Sequence, residues 1–527
     1  MGRVYFPQYR KGREGINAFD GTLLEHAQKL GVEIASECGG LGLCGRCVVR
    51  IEKGVEALGE RTDNEKTHRL GQNERLACQA RVVNLEQNIH VFIRDFGNYT
   101  VLTDTLETHV EIVPAVQRIG DRVVHSDRGD LGPYRGKMYG LAIDAGTTTV
   151  VTQMVDLEDG GCIATFARKN PQISYGNDVI SRIAFAMQHE GGLKELQRSI
   201  VNGINEDLIE FEKRSFNIRE YIYEVVVVGN STMRSIFFGQ DVSSLGVIPF
   251  EPSSLTSVTT TAEHLGFAVN PACIAYGGPL IGGHAGADAL ADILACGMHS
   301  NDEIHMLIDI GTNGEVAVGN RHRIMTASCA AGGAYEGATI KCGVGAIEGA
   351  IKNVSIRDHR VGFETIGNKP PVGICGSGLI DLLAELLHAG IVDRKAKLND
   401  EFCVTDNVSL SQGDVYQLIT AKAGLRTDQD LLIKYYGVEI DAVNKIYLAG
   451  AFGNFINAEN AVAIGLLPPA PEKVVRVGNA ALAGARSMLL SRTTRVEGEK
   501  LAAAIEHTKP NELEPDFAYL VAENMYF

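Results

Sequence analysis

The pattern of hydrophobic and polar positions changes near residue 137. From there on, apolar runs of strand length alternate with glycine-rich loops and helix-like segments. Residues 98–137 are β-branched and polar and have no helical period, which predicts a linker with a strand or two. The longest apolar runs, such as Val225–Val228, are far shorter than the ~20 residues that a membrane-spanning helix needs. We therefore predict an α/β multidomain protein, divided into residues 1–97, 98–137, 138–302 and 303–527.

The first 97 residues contain a short helix-like segment and later strand-like segments. Gly21–Leu30 has the apolar spacing of a helix, and Asp20 is positioned to be its N-cap. Cys47–Ile51 and Val82–Ile93 have the pattern of strands. This part of the chain therefore predicts a small mixed domain.

Four of the eleven cysteines have a spacing that suits a metal cluster. Cys38, Cys44 and Cys47 lie on one glycine-rich loop in the order C-x5-C-x2-C, and Cys78 follows in a later segment. Four such thiolates can hold two irons and two sulfides, because a glycine-rich backbone wraps closely and points N–H groups at the sulfurs. A zinc site and four buried thiols are the alternatives, but zinc motifs usually carry two C-x2-C pairs, and this segment has one.

A strand–turn–strand pattern with the turn Asp-x-Gly-Thr occurs twice in the larger part of the chain. The first turn is Asp144–Thr148 and the second is Asp309–Asn313. Each is followed by a strand that ends in glycine, Glu224–Gly229 in the first case and Lys445–Gly450 in the second. The repeated order indicates an internal duplication, so we expect two similar subdomains that face each other across a cleft.

The two turns carry groups that bind phosphate. Glycine permits a turn in which backbone N–H groups converge on an anion, and threonine hydroxyls add donors. The carboxylates of Asp144 and Asp309 would hold a metal ion, directly or through water. One such turn alone has an ordinary structural explanation, whereas two in the same order predict a phosphate site. The candidate binding residues are Gly146, Thr147, Thr148, Gly311, Thr312 and Asn313.

Further candidates lie outside the phosphate-binding positions of these turns. Gly376 and Ser377 open a predicted apolar helix, and a Gly-Ser turn at a helix N-terminus can take a phosphate. A tight helix start explains these two residues equally well. Glu315 follows the second turn and is a candidate general base, beside Asp144 and Asp309 as candidate catalytic carboxylates.

Composition and charge narrow the class of protein. The chain has 527 residues, of which 45% are hydrophobic and 22% charged, and this excludes a disordered or fibrous chain. A formal charge of −16 without a basic block makes nucleic acid and anionic membranes unfavourable partners. The N-terminus lacks the apolar segment of a secretory signal, and the odd number of cysteines argues against a disulfide framework. We expect a cytoplasmic protein.

These motifs resemble those of known families. The helix, cysteine loop and strands are similar to the β-grasp 2Fe–2S ferredoxin domain, adrenodoxin-like in the first cysteine spacing. The duplicated turns resemble the two phosphate loops of the acetate and sugar kinase/Hsp70/actin superfamily. This resemblance implies a duplicated RNase H-like fold that binds ATP and Mg²⁺. It also implies that Gly450, Gly453 and Asn454 form the adenosine loop, although Ala-Gly-Ala-Phe-Gly departs there from the family's paired glycines.

Nearly the whole chain resembles the reductive activators of corrinoid-dependent methyltransferase systems. The stretches that carry this resemblance include 170–182, Gly229–Met233 and Leu448–Ile456. The resemblance implies ATP-dependent transfer of an electron from a 2Fe–2S cluster to Co(II) of a corrinoid protein, which restores Co(I). It also implies a corrinoid protein and an upstream electron donor as partners, and a homodimer.

Three other functions remain open from the sequence. Cys329 lies in a Cys-Ala-Ala-Gly run that resembles the cluster ligand of 2-hydroxyacyl-CoA dehydratase activators, for which a small buried thiol is the alternative. A small-molecule kinase with a regulatory cluster would use the same phosphate loops. A binding module that senses redox state without turning over ATP is the last hypothesis.

Overall fold

The computed structural model describes residues 2–7, 12–32, 34, 40–42, 47–68, 70–93, 106, 108, 110–213, 217–330, 333–335, 337, 339–357, 360–450 and 455–527. The strands β1 to β25 are, in chain order, Arg3–Tyr5, Ile16–Asn17, Val48–Lys53, Glu74–Leu76, Ile89–Ile93, Val116–Ile119, Arg122–His125, Gly129–Pro133, Tyr139–Ala145, Thr149–Asp156, Cys162–Lys169, Ile222–Val228, Val258–Thr261, Ile274–Gly277, His305–Ile310, Asn313–Asn320, Arg323–Ala330, Ala350–Arg357, Arg360–Thr365, Gly373–Ile374, Phe402–Thr405, Val408–Leu410, Lys445–Ala449, Val474–Gly478 and Glu506–His507. The helices α1 to α14 are Leu23–Leu30, Asp63–Thr67, Val179–Gln188, Gly192–Glu212, Ser231–Phe237, Ala262–Leu265, Ala287–Ala295, Gly376–His388, Gln412–Tyr436, Ala458–Ala463, Ala480–Leu490, Arg492–Ala504, Pro510–Leu513 and Phe517–Glu523.

The N-terminal domain is a five-stranded mixed sheet with α1 packed against it. The strand order is β2-β1-β5-β3-β4, in which β1 and β5 are parallel and the other neighbours antiparallel. Ala27 of α1 shares a hydrophobic core with Val49 and Ile89 of the sheet. The predicted β-grasp fold is confirmed, although the strand expected over Val82–Ile93 forms only from Ile89.

The predicted N-cap of α1 was wrong. Thr22 caps the helix, because its hydroxyl accepts a hydrogen bond from the Glu25 amide at 3.2 Å while the Glu25 carboxylate accepts one from the Thr22 amide at 2.6 Å. Asp20 instead forms an ion pair with Arg81 at 2.7 Å. The helix therefore starts at the reciprocal capping pair and not at the earlier acidic residue.

A three-stranded antiparallel sheet, which we call the linker sheet (β6–β8), follows the ferredoxin domain. Its residues Val116 and Val123 lie in the core of the larger body. Just before it, the Val113 amide donates to the Leu490 carbonyl at 2.8 Å, and the Val113 carbonyl accepts from the Arg492 amide at 2.9 Å. The linker sheet is therefore packed against the larger body, and the predicted domain boundaries stay predictions.

The larger body contains two lobes whose sheets share one strand order. The first lobe has the order β11-β10-β9-β12-β14, with β13 beside β14. The second lobe has the order β17-β16-β15-β23-β24, with β25 beside β17. In each lobe the first three strands are antiparallel, and the last two run parallel to the first. This third-second-first-fourth-fifth order confirms the predicted duplicated RNase H-like fold.

The two lobes meet along helices α7 and α11. Gly484 of α11 lies so close to α7 that an added Cβ would be 2.2 Å from the Ala291 carbonyl oxygen. α11 also packs on β9 and β12 of the first lobe, so the helix predicted over Gly478–Ser491 crosses the body as expected. Among the described residues, no helix combines the length and apolar character that crossing a bilayer requires.

Candidate functional site

The two Asp-x-Gly-Thr turns face each other between the lobes. The first joins β9 to β10 and the second joins β15 to β16, and the Oγ1 atoms of Thr148 and Thr312 are 2.9 Å apart. Asp144 pairs with Val228 of the parallel neighbour β12, just as Asp309 pairs with Ala449 of β23. The structure thus brings the two predicted phosphate loops together at equivalent positions of the two lobes.

Three consecutive carbonyl groups of the first phosphate loop, those of Gly146, Thr147 and Thr148, are bound from behind. The Asn170 side-chain amide donates to the Gly146 carbonyl at 2.8 Å, and its backbone amide donates to the Thr148 carbonyl at 2.8 Å. Between them, Nη2 of the fully buried Arg182 donates to the Thr147 carbonyl at 2.6 Å. Because these acceptors are occupied, the loop can present its N–H and hydroxyl donors to an anion in the cleft.

Two further asparagines connect helix N-termini to the site. Asn230 caps α5 with its Oδ1 atom and donates from Nδ2 to the Thr147 hydroxyl at 2.9 Å. Asn479 caps α11 in the same way and donates from Nδ2 to the Asp144 carboxylate at 2.8 Å. The second contact ties a helix that follows the second lobe's sheet to a carboxylate of the first.

Glycines at the strand ends allow the backbone to pass closely behind each phosphate loop. Gly450 has a φ of +104°, and an added Cβ would lie 2.4 Å from the Ile310 carbonyl oxygen. Gly229 occupies the equivalent place in the first lobe, where an added Cβ would lie 2.8 Å from the Ala145 carbonyl oxygen. Gly453 and Asn454, which were also predicted for the adenosine loop, lie outside the described residues.

Five buried carboxylates at the two loops interact electrostatically with one another: Asp144, Asp288, Asp292, Asp309 and Glu315. Desolvation raises the pKa of Asp144 to about 7, against the hydrogen bond from Asn479 and with a further rise from the charge of Asp309. Desolvation also raises the pKa of Asp309 and, aided by the charges of Asp144 and Asp309, that of Asp288 to about 7. Because burial and the repulsion between neighbouring carboxylates both disfavour their ionised forms, a bound cation would stabilise this cluster.

The carboxylate cluster fits Mg²⁺ that arrives with a nucleotide. Among the described residues, no group of three or more histidine, cysteine, aspartate or glutamate side chains is arranged to hold a metal alone. Mg²⁺ is commonly held by one or two carboxylates together with water and phosphate oxygens, so Asp144 and Asp309 suit this role. Burial and the charges of Asp288 and Asp309 raise the pKa of Glu315. The assignment of Glu315 as general base stays a prediction.

The predicted phosphate contact at the start of α8 has a competing structural explanation. Ser377 is buried, and its hydroxyl donates to the Lys352 carbonyl of β18 at 2.8 Å. α8 begins at Gly376, and only its N-cap residue Cys375 separates it from the short strand β20. This geometry favours the tight helix start that the sequence left open.

Two of the four predicted cluster cysteines are described, and they converge. The Sγ atoms of Cys47 and Cys78 are 3.2 Å apart, and both side chains are buried. The hydrogen bond from Cys47 is the largest cause that lowers the pKa of Cys78 to about 7, which favours the thiolate form that binds iron. Cys38 and Cys44 lie outside the described residues.

Side chains around Cys78 hold its loop in place. Nε2 of Gln79 donates to the Gly40 carbonyl at 2.9 Å and lies 3.7 Å from the sulfur of Cys78. Just before the cysteine, the Leu76 amide donates to the buried Glu65 carboxylate at 3.0 Å, and Arg75 forms a two-point ion pair with the same group. Converging thiols on a braced loop fit the four-thiolate ligand set of a 2Fe–2S cluster.

Cys329 is half-buried and lies near the carboxylates of Asp428 and Glu315. Desolvation and the charges of Asp428 and Glu315 raise the pKa of its thiol well above the ordinary value. The thiols of Cys342 and Cys375 point to backbone carbonyls, at 3.9 and 3.3 Å. A raised pKa disfavours the thiolate form that binds iron, so the surroundings of the half-buried Cys329 favour the alternative of an ordinary packed thiol that the sequence left open.

The fold and the two sites define a class of protein, a two-lobed actin-type ATPase fold joined to a 2Fe–2S ferredoxin domain. The chain belongs to the RACo family. Family models match residues 11–83 as a 2Fe–2S iron–sulfur cluster binding domain, 139–301 as the RACo middle region and 303–527 as the C-terminal domain of RACo, the ASKHA domain.

Named relatives agree with this assignment. The chain is 33% identical over 385 residues to the corrinoid activation enzyme RamQ of Eubacterium limosum, which covers 67% of this chain and 65% of the relative. It is 27% identical over 394 residues to the [Co(II) methylated amine-specific corrinoid protein] reductase of Methanosarcina barkeri, covering 68% and 71%. The solved structure of a reductive activator for a corrinoid, iron–sulfur protein matches with a TM-score of 0.73 at 29% identity, covering 100% of this chain and 98% of the other.

Asn170, Arg182 and Asn479 are among the site residues that the sequence did not predict. Asn170 and Arg182 are the first and last residues of the stretch 170–182, which resembles the corrinoid activators. Nothing in the sequence of this stretch shows that the two side chains bind the loop carbonyls. Asn479 precedes the small-residue helix α11 as an N-cap should, and its second contact lies 335 positions away.

Proposed function

We propose that the protein uses ATP to drive the reduction of Co(II) in a corrinoid protein, with the electron supplied by a 2Fe–2S cluster in its N-terminal domain. One observation carries the proposal: a single chain combines converging thiols in a ferredoxin fold with two phosphate loops that meet at 2.9 Å between two lobes. The names of the relatives support it, because one is a corrinoid activation enzyme and another a reductase of a Co(II) corrinoid protein.

The predicted site residues divide between two tasks in this proposal. Cys38, Cys44, Cys47 and Cys78 would hold the cluster, which supplies one electron at low potential. The nucleotide would be held through its phosphates by the two loops, through Mg²⁺ by two carboxylates and at its nucleoside by the third loop. These residues are Gly146, Thr147, Thr148, Gly311, Thr312 and Asn313 for phosphate, Asp144 and Asp309 for Mg²⁺, and Gly450, Gly453 and Asn454 for the nucleoside.

ATP helps an unfavourable electron transfer only by changing the state of the protein. Each 59 mV of unfavourable potential for one electron costs a factor of ten, which is about 1.4 kcal/mol. Thr148 and Thr312 belong to different lobes, so a phosphate that contacts both hydroxyls makes more contacts when the lobes are closed than when they are apart. This difference in affinity is what allows a ligand to shift the balance between two conformations. In the closed form, the protein would dock the corrinoid protein and pass the electron.

The remaining expectations complete the proposal. The cluster needs an upstream electron donor, since each turnover removes one electron from it. We place the protein in the cytoplasm, where its thiols remain reduced. A homodimer is proposed from the resemblance to the corrinoid activators.

The test uses the intact chain with its cluster reconstituted under anaerobic conditions. It is mixed with a Co(II) corrinoid protein of a methylated-amine methyltransferase system, a chemical reductant and Mg-ATP, and the Co(I) absorption band is followed. We expect Co(I) to form with ATP and to be lost in Cys78→Ser and Asp309→Asn. The exposed Cys162 provides the control variant Cys162→Ser, which should behave as wild type. Equal Co(I) formation with and without ATP would refute the proposal.

A further inference from the structure

A second cavity lies away from the phosphate loops, where three parts of the chain meet. It has a volume of about 630 Å³ and is bounded by the linker sheet, the β13–β14 edge of the first lobe and α12. Behind its floor lies Glu224 of β12, which contacts the lining residues His125 and Arg495 and sits four residues before Val228, the partner of Asp144. At about 3.3 Å per residue, the floor is about 13 Å along the strand from the nucleotide site.

The floor of the cavity is a buried ionic network that joins these three parts. Nη2 of Arg495, on α12, lies 2.7 Å from a carboxylate oxygen of the fully buried Glu224. Nε2 of His125, from the linker sheet, lies 3.6 Å from the same oxygen. The Arg495 guanidinium also stacks 4.6 Å from the centre of the Tyr276 ring of the first lobe. The charge of Arg495 is therefore balanced by Glu224, and its position is fixed.

The carboxylates of the cavity wall are already bound by protein groups. Glu499 accepts hydrogen bonds from the Tyr276 hydroxyl at 2.9 Å and from the Ser257 hydroxyl. Asp127 forms an ion pair with Arg492 at 2.8 Å. The wall's two acidic side chains therefore have their own donors.

Two cations of the wall have no such partner. Within the described part of the chain, no carboxylate oxygen lies within 4.0 Å of the charged nitrogens of Arg128 or Lys500; Arg128 only approaches the Thr259 carbonyl, at 3.4 Å. Together with Arg492 and Arg495, the lining carries four cations against the carboxylates of Asp127 and Glu499, and with Glu224 behind Arg495 counted the balance is one net positive charge. A concave surface with a positive balance attracts anions, here on a chain whose formal charge is −16.

We propose that this cavity binds a small organic anion that carries phosphate or carboxylate groups. Arg128 and Lys500 would bind the anionic groups, and the Tyr276 ring and Val496 would contact the ligand's apolar part. The volume lies within the range of roughly 300–1,000 Å³ that is usual for small-molecule sites. Since Arg128 belongs to the turn of the linker sheet and Lys500 to α12, a bound anion holds the linker sheet against the larger body.

The test uses the full chain with its cluster and with the nucleotide cleft filled by Mg²⁺ and a non-hydrolysable ATP analogue. The probes are citrate for carboxylates and pyrophosphate for phosphates. Because the chain contains no tryptophan, Val496→Trp places a single indole in the cavity wall, and its fluorescence reports binding. Titration calorimetry on the chain without the tryptophan checks the same affinities.

Two double variants separate the site from general charge effects. The double variant Arg128→Ala, Lys500→Ala removes the two cations proposed to bind the anion. The double variant Lys194→Ala, Lys369→Ala removes two exposed cations elsewhere and changes the net charge by the same amount. We expect the first to weaken binding of citrate or pyrophosphate at least tenfold and the second less than twofold. The probe that binds more tightly identifies the anionic group. Absence of binding of both probes to the wild type, or equal weakening by both double variants, would overturn the proposal.

Discussion

Asn170→Ala tests the idea that the first phosphate loop is shaped by the groups behind it. Asn170 is fully buried and makes two side-chain contacts, donating to the Gly146 carbonyl at 2.8 Å and accepting from the Gln172 amide at 3.0 Å. Leaving the carbonyl without its donor costs about 1–3 kcal/mol, and losing the cap costs about 1 kcal/mol. We therefore expect the free energy of unfolding to fall by about 2–4 kcal/mol.

The first of these two losses acts directly on the phosphate site. A cost of about 1–3 kcal/mol in holding the loop corresponds to ATP binding that is about 5–150-fold weaker. Titration calorimetry with Mg-ATP measures this change, and urea unfolding measures the loss of stability.

Asn270→Ala is the matched control for Asn170→Ala. Asn270 makes the same two kinds of contact far from the loop, donating to the Glu220 carbonyl at 2.8 Å and accepting from the Ala272 amide at 2.9 Å. It should lower stability and leave ATP affinity unchanged. The reasoning is refuted if Asn170→Ala binds ATP as tightly as wild type, or if Asn270→Ala weakens ATP binding to the same extent.

Three further predictions concern the ferredoxin domain and the cleft. Burial works to raise the pKa of Glu65, but hydrogen bonds, led by that from Arg75, hold it below the ordinary value. Glu65→Gln should lower unfolding free energy by about 3–5 kcal/mol at neutral pH. In urea titrations this difference should hold above about pH 4.3 and shrink as pH falls through the lower folded pKa; a difference independent of pH would contradict it. Gly450→Ala should weaken ATP binding at least tenfold by calorimetry, because its Cβ would lie 2.4 Å from the Ile310 carbonyl oxygen of the second phosphate loop. The control Gly437→Ala, at a φ of +85° with open space around it, should leave ATP binding unchanged. Equal effects of the two variants would contradict the steric argument. Thr312→Val should weaken ATP binding by about 10–100-fold through loss of a hydrogen bond to a charged phosphate, and unchanged affinity would remove this residue from the site.

The fold and the phosphate loops were predictable because their signals are local. The turns at Asp144–Thr148 and Asp309–Asn313 each carry their chemistry within five residues, and their repetition indicated the duplication. The cap of α1 was also readable, since Thr22 and Glu25 have the spacing of a capping box, but the nearby Asp20 competed with it.

The supporting residues of the site were not predictable for a different reason. Asn479 and Arg182 reach the first phosphate loop from other elements, so their contacts exist only after the lobes have folded. Nothing in their own sequence neighbourhood distinguishes Asn479 from any other helix-capping asparagine. For Ser377, a phosphate site and a helix start have the same local sequence, and only the hydrogen bond to the Lys352 carbonyl separates them.

The 3₁₀ turn Pro171–Ser174 has contacts at both of its ends. Asn170, at its start, binds the first phosphate loop, and the Ser174 carbonyl, at its end, accepts a hydrogen bond at 2.7 Å from Gln28 on α1 of the ferredoxin domain. At about 2 Å per residue, this turn is a rod only about 8 Å long. The backbone amides of Leu23 and Leu24, at the other end of α1, bind the carbonyls of Ala80 and Ala77 on either side of Cys78. The contact that supports the first phosphate loop and the contact that holds the ferredoxin domain against the larger body therefore lie at the two ends of one short turn.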